Sequence, residues 1–335
     1  MIFYLFIFLS AEVTAISKLI YYISGLNIWI SSSIILFFTL TYVLFGGLKA
    51  TIRSDSVQFV IIILLFFYLI FSVFLKNHNN LNLNIFQENL IKFDTKSLIS
   101  SFQFGFVFFI AVAATNLFHQ GNWQRVYAAK NKKILVKSLI ISFFIILLIV
   151  LFMGVTGIIS KLNGLKFNED LAFFSIVLNK NDVLISLVVL IFSLSLTIST
   201  IDTLLNSISS LIIVHKKNFE FFKNQKTKKL SSILLIFLSL ICFCIALYQL
   251  SVLYLFLLAD LLCCACVYVV FKGLYQKKIS ASRSFFLVSI GLCSGLLFFP
   301  DPTFSKSFFI GVLFNKDILA GIFLNRSEEH TSELQ

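Results

Sequence analysis

Long apolar segments constrain this 335-residue chain more than any other feature of its sequence. Hydrophobic residues make up 59% of the chain and charged residues 13%, and the apolar residues fall into blocks of about 20. A helix of that length crosses roughly 30 Å of hydrocarbon, and nothing in the sequence alternates with the two-residue period of a barrel strand. The sequence therefore predicts an all-α polytopic membrane protein in a lipid bilayer, and it argues against soluble enzymes and nucleic-acid-binding proteins.

The apolar blocks predict nine membrane spans. Their expected bounds are 2–24, 28–48, 55–75, 98–121, 134–158, 183–214, 230–249, 251–272 and 283–300. A tenth block, 307–325, is interrupted by Lys316 and Asp317. The loops after the even-numbered spans carry more than twice as many lysines and arginines as those after spans three, five, seven and nine. Because positive charge collects on the cytoplasmic side, the net charge of +12 is interpreted as setting topology, with the first span running outward.

Both ends of the chain are unusual. Residues 326–335 (RSEEHTSELQ) are polar and unlike the rest of the sequence, and their back-translation matches the start of a widely used sequencing adapter. We expect them not to be native, which leaves residues 1–325 as one transmembrane domain. Met1 opens directly into an apolar helix without a charged leader, so both present ends are expected to be artificial.

Polar side chains inside spans are costly and mark candidate functional positions, because they usually face a protein interior or a water-filled path. In the sixth predicted span, Ser195, Ser199, Asp202 and Asn206 form one stripe at helical spacing. Hydroxyl and carboxylate oxygens are hard ligands that suit an alkali cation. The hydroxyls can also merely permit close packing and bond to their own turn, whereas Asp202 needs a partner or an ion.

Polar residues also lie at the ends of other predicted spans. Gly46 and Gly47 allow a tight turn, and Ser54 or Asp55 can cap the third span. At the end of the fourth span, His119 lies close to Gly121, which weakens a helix, so we expect this span to be interrupted or to end early.

Charged residues occur within two further spans. Lys18 lies in the first predicted span and Asp260 in the eighth. Each needs a partner elsewhere in the chain, or a position near an interface that its charge can reach.

Three segments, in this order, resemble the sodium:solute symporter family: GGLKATIRSDSVQ at 46–58, HQGNWQRVYAAK at 119–130 and STIDTLLNSISS at 199–210. The resemblance extends over about residues 1–299 and implies a partial core of two inverted five-helix repeats, with solute and ion near the bilayer midplane. It matches the first span to the third core helix and the eighth to the tenth. The first two core helices are then expected to be absent, so the chain as given should not transport.

The resemblance also implies roles for particular residues. The two hydroxyls of the family's sodium site fall on Ser199 and Thr200, its backbone carbonyl falls on Leu196, and an acidic position implicated in sodium coupling falls on Asp55. Sugar carriers have an aromatic gate where this chain has Thr115, followed by an acidic or amide pair where it has His119 and Gln120, which argues against a sugar solute. The other candidates for the coupling or solute path are Asn116, Asp202, Asn206 and Asp260.

The implied function is secondary active symport of a small organic solute with sodium by alternating access, in a bacterial-type plasma membrane, without an enzymatic reaction or another metal. The solute class stays open between amino acids, amides, carboxylates and quaternary amines, and no oligomeric state is implied. A proton could replace sodium, carried by Asp202, Asp260 or His119. The helices could also form the membrane part of a histidine-kinase sensor.

Overall fold

A computed structural model of the protein describes residues 1–77, 95–162, 169–178, 182–215, 227–275, 280–302, 304 and 307. The helices are α1 (Ile2–Ser24), α2 (Ile28–Asn77), α3 (Thr95–Phe118), α4 (Gln120–Ala128), α5 (Lys132–Leu162), α6 (Ala172–Val177), α7 (Val183–His215), α8 (Thr227–Leu247), α9 (Val252–Tyr275) and α10 (Ala281–Phe298). A short 3-10 helix, Glu169–Leu171, precedes α6. Eight of the described helices are long and apolar enough to cross a membrane, so the predicted all-α polytopic membrane protein is confirmed.

The helices follow the predicted spans to within a few residues, except in two places. α2 joins the second and third spans, and α3 ends at Phe118 instead of continuing to residue 121. Apart from Ser307, the tenth apolar block lies outside the described residues. The inverted five-helix repeats stay a prediction.

Gly47 divides α2 into two helical segments. An unbroken helix of 50 residues would be about 75 Å long, more than twice the thickness of the hydrocarbon. Gly47 has φ 54° and ψ −154°, a conformation that is essentially restricted to glycine. A Cβ atom added to Gly46 would lie 2.3 Å from the Cβ of Ala50. The backbone conformation at Gly47 and the close contact at Gly46 therefore favour this glycine pair. The expected cap at Ser54 or Asp55 is wrong, because helical structure already begins before both residues.

Contacts divide the chain into two compact units. The first unit comprises Met1, Asp94–Phe118 and Tyr254–Gln335, and the second comprises Ile2–Phe93 and His119–Leu253. Each unit is described by itself below.

α1 is the central helix of the second unit. It contacts α2, α7 and α8, and 72% of its most apolar 18-residue window is buried. Ser10 and Thr14 are almost completely buried, and their hydroxyls donate to backbone carbonyls one turn earlier, at 3.0 and 2.7 Å. Small side chains that satisfy their own polar groups allow neighbouring helices to approach α1 closely.

In the first unit, two glycines let α9 and α10 pack closely. A Cβ atom on Gly291 would lie 3.3 Å from the Cα of Ala265, and one on Gly295 would lie 2.3 Å from the Cδ1 of Leu261. The spacing of these glycines is that of the small-residue motif common between membrane helices. The close approach of the two helices at these glycines therefore holds α9 against α10.

A buried ion pair ties α1 to two connecting segments of the second unit. Lys18 Nζ lies 2.8 Å from Asp170 Oδ2 in the 3-10 helix, and it donates to the Leu250 carbonyl, also at 2.8 Å. The backbone N–H of Val252 donates to the same Asp170 oxygen at 3.3 Å. The pair is about nine-tenths buried, so it is shielded from the solvent that weakens surface ion pairs. Lys18 thus has the partner that the sequence required.

Replacing Gly47 with alanine should destabilise the protein by roughly 1–3 kcal/mol, because alanine does not tolerate the Gly47 backbone conformation. Gly105→Ala is the matched control, since its added Cβ atom meets nothing within 4 Å and its backbone conformation is not left-handed. Thermal unfolding in detergent should show a lower midpoint for Gly47→Ala alone. Equal midpoints for the two variants would contradict a glycine-dependent break in α2.

Removing one partner of the Lys18–Asp170 pair should lower the free energy of unfolding by roughly 3–5 kcal/mol, because the other charge is then buried without its counter-charge. We expect Asp170→Asn and Lys18→Met each to lower the unfolding midpoint strongly. The double variant should be far more stable than the sum of the two single effects predicts. Strictly additive losses would show that the two charges do not interact.

Candidate ion and solute sites

Asp55 is the centre of a polar cluster in the second unit. Ser199 Oγ on α7 donates to Asp55 Oδ1 at 2.6 Å. Arg125 Nη2 on α4 lies 2.6 Å from the other carboxylate oxygen. The Asp55 side chain is 19% exposed and the Arg125 side chain 41%, so the guanidinium forms the more open side of the cluster. One carboxylate thus connects α2, α4 and α7.

Arg125 reaches a second residue of α7. The same Nη2 donates to Thr203 Oγ1 at 2.7 Å, and this hydroxyl lies 2.8 Å from the carbonyl oxygen of Ser199. Thr203 Oγ1 also lies 3.3 Å from Asp202 Oδ1. The guanidinium is therefore held by both a carboxylate and a hydroxyl, and it cannot shift without breaking both contacts.

Glycine in α4 makes this reach possible. A Cβ atom on Gly121 would lie 2.3 Å from Thr203 Cγ2 and 3.1 Å from Ser207 Oγ, so α4 packs against α7 at a distance that no larger residue permits. One turn later, Gln124 Nε2 donates to Ser210 Oγ at 2.7 Å. The position of Arg125 follows from this close packing.

Asp202 is completely buried, and its partner comes from α2. Tyr42 donates its hydroxyl to Asp202 Oδ2 at 2.6 Å. Asn206 Nδ2 donates to the backbone carbonyl of Asp202 at 3.1 Å, so it supports the turn rather than the carboxylate. The partner that the sequence required for Asp202 is thus a tyrosine, and Asp202 and Asn206 lie on the same buried face.

The four predicted sodium ligands form two contacting pairs. Ser199 contacts Asp55, as described above, and Thr200 Oγ1 donates to the Leu196 carbonyl at 3.1 Å. All four residues are partly buried. Their oxygens comprise two hydroxyls, a carbonyl and a carboxylate, which is a donor set that fits a hard cation such as sodium.

His119 marks the predicted interruption of the fourth span. It has an extended backbone, φ −71° and ψ 102°, between the end of α3 and the start of α4 at Gln120. Its buried ring meets the rings of Tyr4 and Phe8 edge-on, with centroids 6.4 and 5.9 Å away. The break therefore lies two residues before Gly121, which is helical and serves packing instead.

The remaining predicted path residues lie in the first unit. Thr115 Oγ1 in the last turn of α3 donates a hydrogen bond to Asp260 Oδ1 on α9, and both residues are buried. Asn116 is exposed, and its Nδ2 donates to the Val112 carbonyl of its own helix at 2.9 Å. The sequence candidates thus fall into a polar cluster around Asp55 and Asp202 in the second unit and a Thr115–Asp260 pair in the first.

Two residues of the polar cluster are not among the sequence candidates. Arg125 counts in the sequence as one of the positive charges in the loop after the fourth predicted span, although it lies in the family-like segment 119–130 and six residues after His119. Tyr42 stands in an apolar segment where nothing in the sequence marks it. Only the contact with Asp202 identifies its role.

Gly121→Ala should move α4 away from α7 and separate Arg125 from Asp55 and Thr203, because the added methyl group cannot be accommodated. The contact of Gln124 with Ser210 provides a readout, with cysteines at these two positions in a background without native cysteines. A short bismaleimide should cross-link them less in Gly121→Ala. The matched control is Gly157→Ala, whose Cβ atom meets nothing within 4 Å. Equal cross-linking in both backgrounds would contradict the packing argument.

Comparisons with known proteins show the family to which the chain belongs. The family model of the sodium:solute symporters matches residues 1–291. Among curated proteins, the spermidine transporter DUR31 of Candida albicans is 26% identical over 293 residues, which cover 86% of this chain. The chain spans about half of that relative's length, 54%. No solved structure matches. The chain is therefore an integral multi-pass membrane protein that belongs to the sodium:solute symporter family.

Proposed function

We propose that this chain contributes to a sodium-coupled symporter that carries a small organic solute by alternating access. The observation that carries the proposal is the oxygen-rich cluster on α7 and α2. It combines the hydroxyls of Ser199 and Thr200 with the Leu196 carbonyl and the Asp55 carboxylate. The first three oxygens come from two successive turns of one helix, and Asp55 supplies the negative charge that favours a cation there.

Arg125 gives the ion site a means of responding to occupancy. Asp55 shares its two oxygens between Ser199 and Arg125, so a sodium ion that enters beside Ser199 competes with the guanidinium for the same carboxylate. With sodium present, the attraction between Asp55 and Arg125 weakens, and α4 is less firmly held against α7. When sodium leaves, Arg125 again neutralises Asp55, so the empty site does not retain an unbalanced buried charge.

Alternating access then follows from preferential binding. Sodium can shift the carrier between conformations only by binding one of them more tightly, and solute binding adds to that preference. The membrane potential contributes about 2.3 kcal/mol per charge per 100 mV, in addition to the sodium gradient. We place the carrier in a plasma membrane, of bacterial type as the sequence suggested, where such a gradient is maintained.

The relative's name indicates which solutes to examine first. DUR31 is named a spermidine transporter, so polyamines and other small amines are the first compounds to assay for this chain, in the complete carrier. Neutral amides and carboxylates are to be assayed for uptake alongside these amines.

Removing both hydroxyls, Ser199→Ala with Thr200→Ala, should raise the sodium concentration for half-maximal uptake by roughly tenfold or more, because two ion ligands are lost. Uptake of radiolabelled solute into proteoliposomes, measured against external sodium, checks this. Thr197→Ala is the matched control, since this hydroxyl on α7 bonds to the Ser193 carbonyl of its own helix.

Unchanged sodium dependence in the double variant would exclude this site. Uptake driven by a pH gradient, without any sodium requirement, would instead establish proton coupling. Signalling without uptake by the complete protein would identify a sensor.

A further inference from the structure

We propose that Asp260 and Thr115 bind the ammonium group of a cationic amine solute. The inference deepens the proposed function and rests on it, because it assigns the class of solute that the carrier takes. Both residues belong to the first unit, where Thr115 Oγ1 donates to Asp260 Oδ1. Their exposed fractions are 6% and 8%, so the pair lies in a region of low dielectric constant where charge is recognised strongly.

Asp260 lies well inside an apolar helical segment that is long enough to cross the hydrocarbon. It is eight residues from the start of the apolar segment Val252–Gly273, which corresponds to a depth of about 12 Å along the helix. Because Thr115 contacts Asp260, the last turn of α3 lies at the same depth. An ionised carboxylate at this depth is costly unless a cation or several donors balance it.

Two partly buried carboxylates of the described chain are each balanced by a cation of the chain. Asp55 lies 2.6 Å from Arg125, and Asp170 lies 2.8 Å from Lys18. Asp260 differs, because within the described part of the chain its one hydrogen-bond donor is a neutral hydroxyl and no basic side chain pairs with it.

Asp202 is also buried, but it needs no external cation. It accepts a hydrogen bond from Tyr42 on one oxygen, and Thr203 Oγ1 lies 3.3 Å from the other. In Asp260, Thr115 occupies Oδ1, and among the described residues no donor contacts Oδ2. Within the described ranges, Asp260 Oδ2 therefore has no donor from the chain and can accept a hydrogen bond from a ligand.

Two described basic side chains of the first unit, on α9 and α10, are too far along their helices to reach Asp260. Lys272 is on α9, twelve residues or about 18 Å further along, where its ammonium lies 3.5 Å from the Tyr268 hydroxyl. Arg283 is in the first turn of α10, a turn capped by Ser280. Neither side chain provides the missing positive charge.

The end of α3 adds to the preference for a cation. A helix carries a partial negative charge at its C-terminus, and Thr115 lies in the last turn of α3, which ends at Phe118. An ammonium group has three donors and no acceptor. It can donate to Asp260 Oδ2 and to a lone pair of Thr115 Oγ1, while the carboxylate supplies the countercharge. Neutral amides lack the charge, and carboxylates are repelled.

The test uses the complete carrier in proteoliposomes with radiolabelled spermidine as the cationic probe, urea as the neutral probe and glutamate as the acidic probe. Asp260→Asn preserves size and removes the charge, and Thr115→Val removes the hydroxyl. Cys264→Ser is the matched control, because this exposed residue lies one turn further along α9. We expect Asp260→Asn to raise the KM for spermidine about tenfold or more. Thr115→Val should raise it less, and Asp260→Glu should retain part of the affinity.

The sodium concentration for half-maximal uptake, measured in parallel, separates this site from the ion site. It should stay within about twofold of the parent value in Asp260→Asn. An unchanged KM for spermidine in Asp260→Asn would overturn the assignment, whether or not the sodium requirement changes.

The probe panel separates this inference from the proposed function. Sodium-driven uptake of urea or glutamate, but not of spermidine, by the parent carrier would overturn the assignment and leave sodium symport intact. Spermidine uptake that needs no sodium, yet depends on Asp260, would support the assignment and refute sodium coupling.

Discussion

A charge inside a membrane must be balanced, and the arrangement of the second unit depends on how Asp55 meets this requirement. Its carboxylate accepts from Ser199 on α7 and pairs with Arg125 on α4. Because each contact involves a different helix, the position of α4 against α7 is linked to the charge state around Asp55. An ion that changes this balance therefore has a direct mechanical consequence, which uncharged contacts between helices would not provide.

Two breaks in helical structure make these contacts possible. Gly47 ends one segment of α2 and starts another, so that Tyr42 before the break and Asp55 after it contact residues within one turn of α7. His119 interrupts the helix before α4, whose packing on α7 positions Arg125. Residues that weaken helices thus lie close to the residues that carry charge, as expected where a membrane protein lines a polar site.

The sequence predicted the spans, the glycine turn and the interruption near residue 119, because apolar length and helix-breaking residues are local properties. It also marked Ser199, Thr200 and Asp202 as candidates, because they stand out as polar groups in an apolar helix. It did not predict the partners. Tyr42 is unremarkable in its own segment, and the role of Arg125 depends on tertiary contacts that no periodicity encodes.

The chain passes from the first unit to the second between Phe118 and His119, at the break in helical structure. A helix that ran through residue 119 would join α3 and α4 into one element, whereas the extended backbone of His119 follows the end of one helix and precedes the start of the next. In the proposed scheme, the amine contacts the last turn of α3 at Thr115, and sodium affects α4 through Asp55 and Arg125. If the binding of one ligand changes the affinity for the other, linkage requires the reverse effect to be equally large. Such coupling requires neither a continuous chain of side-chain contacts nor shared ligands.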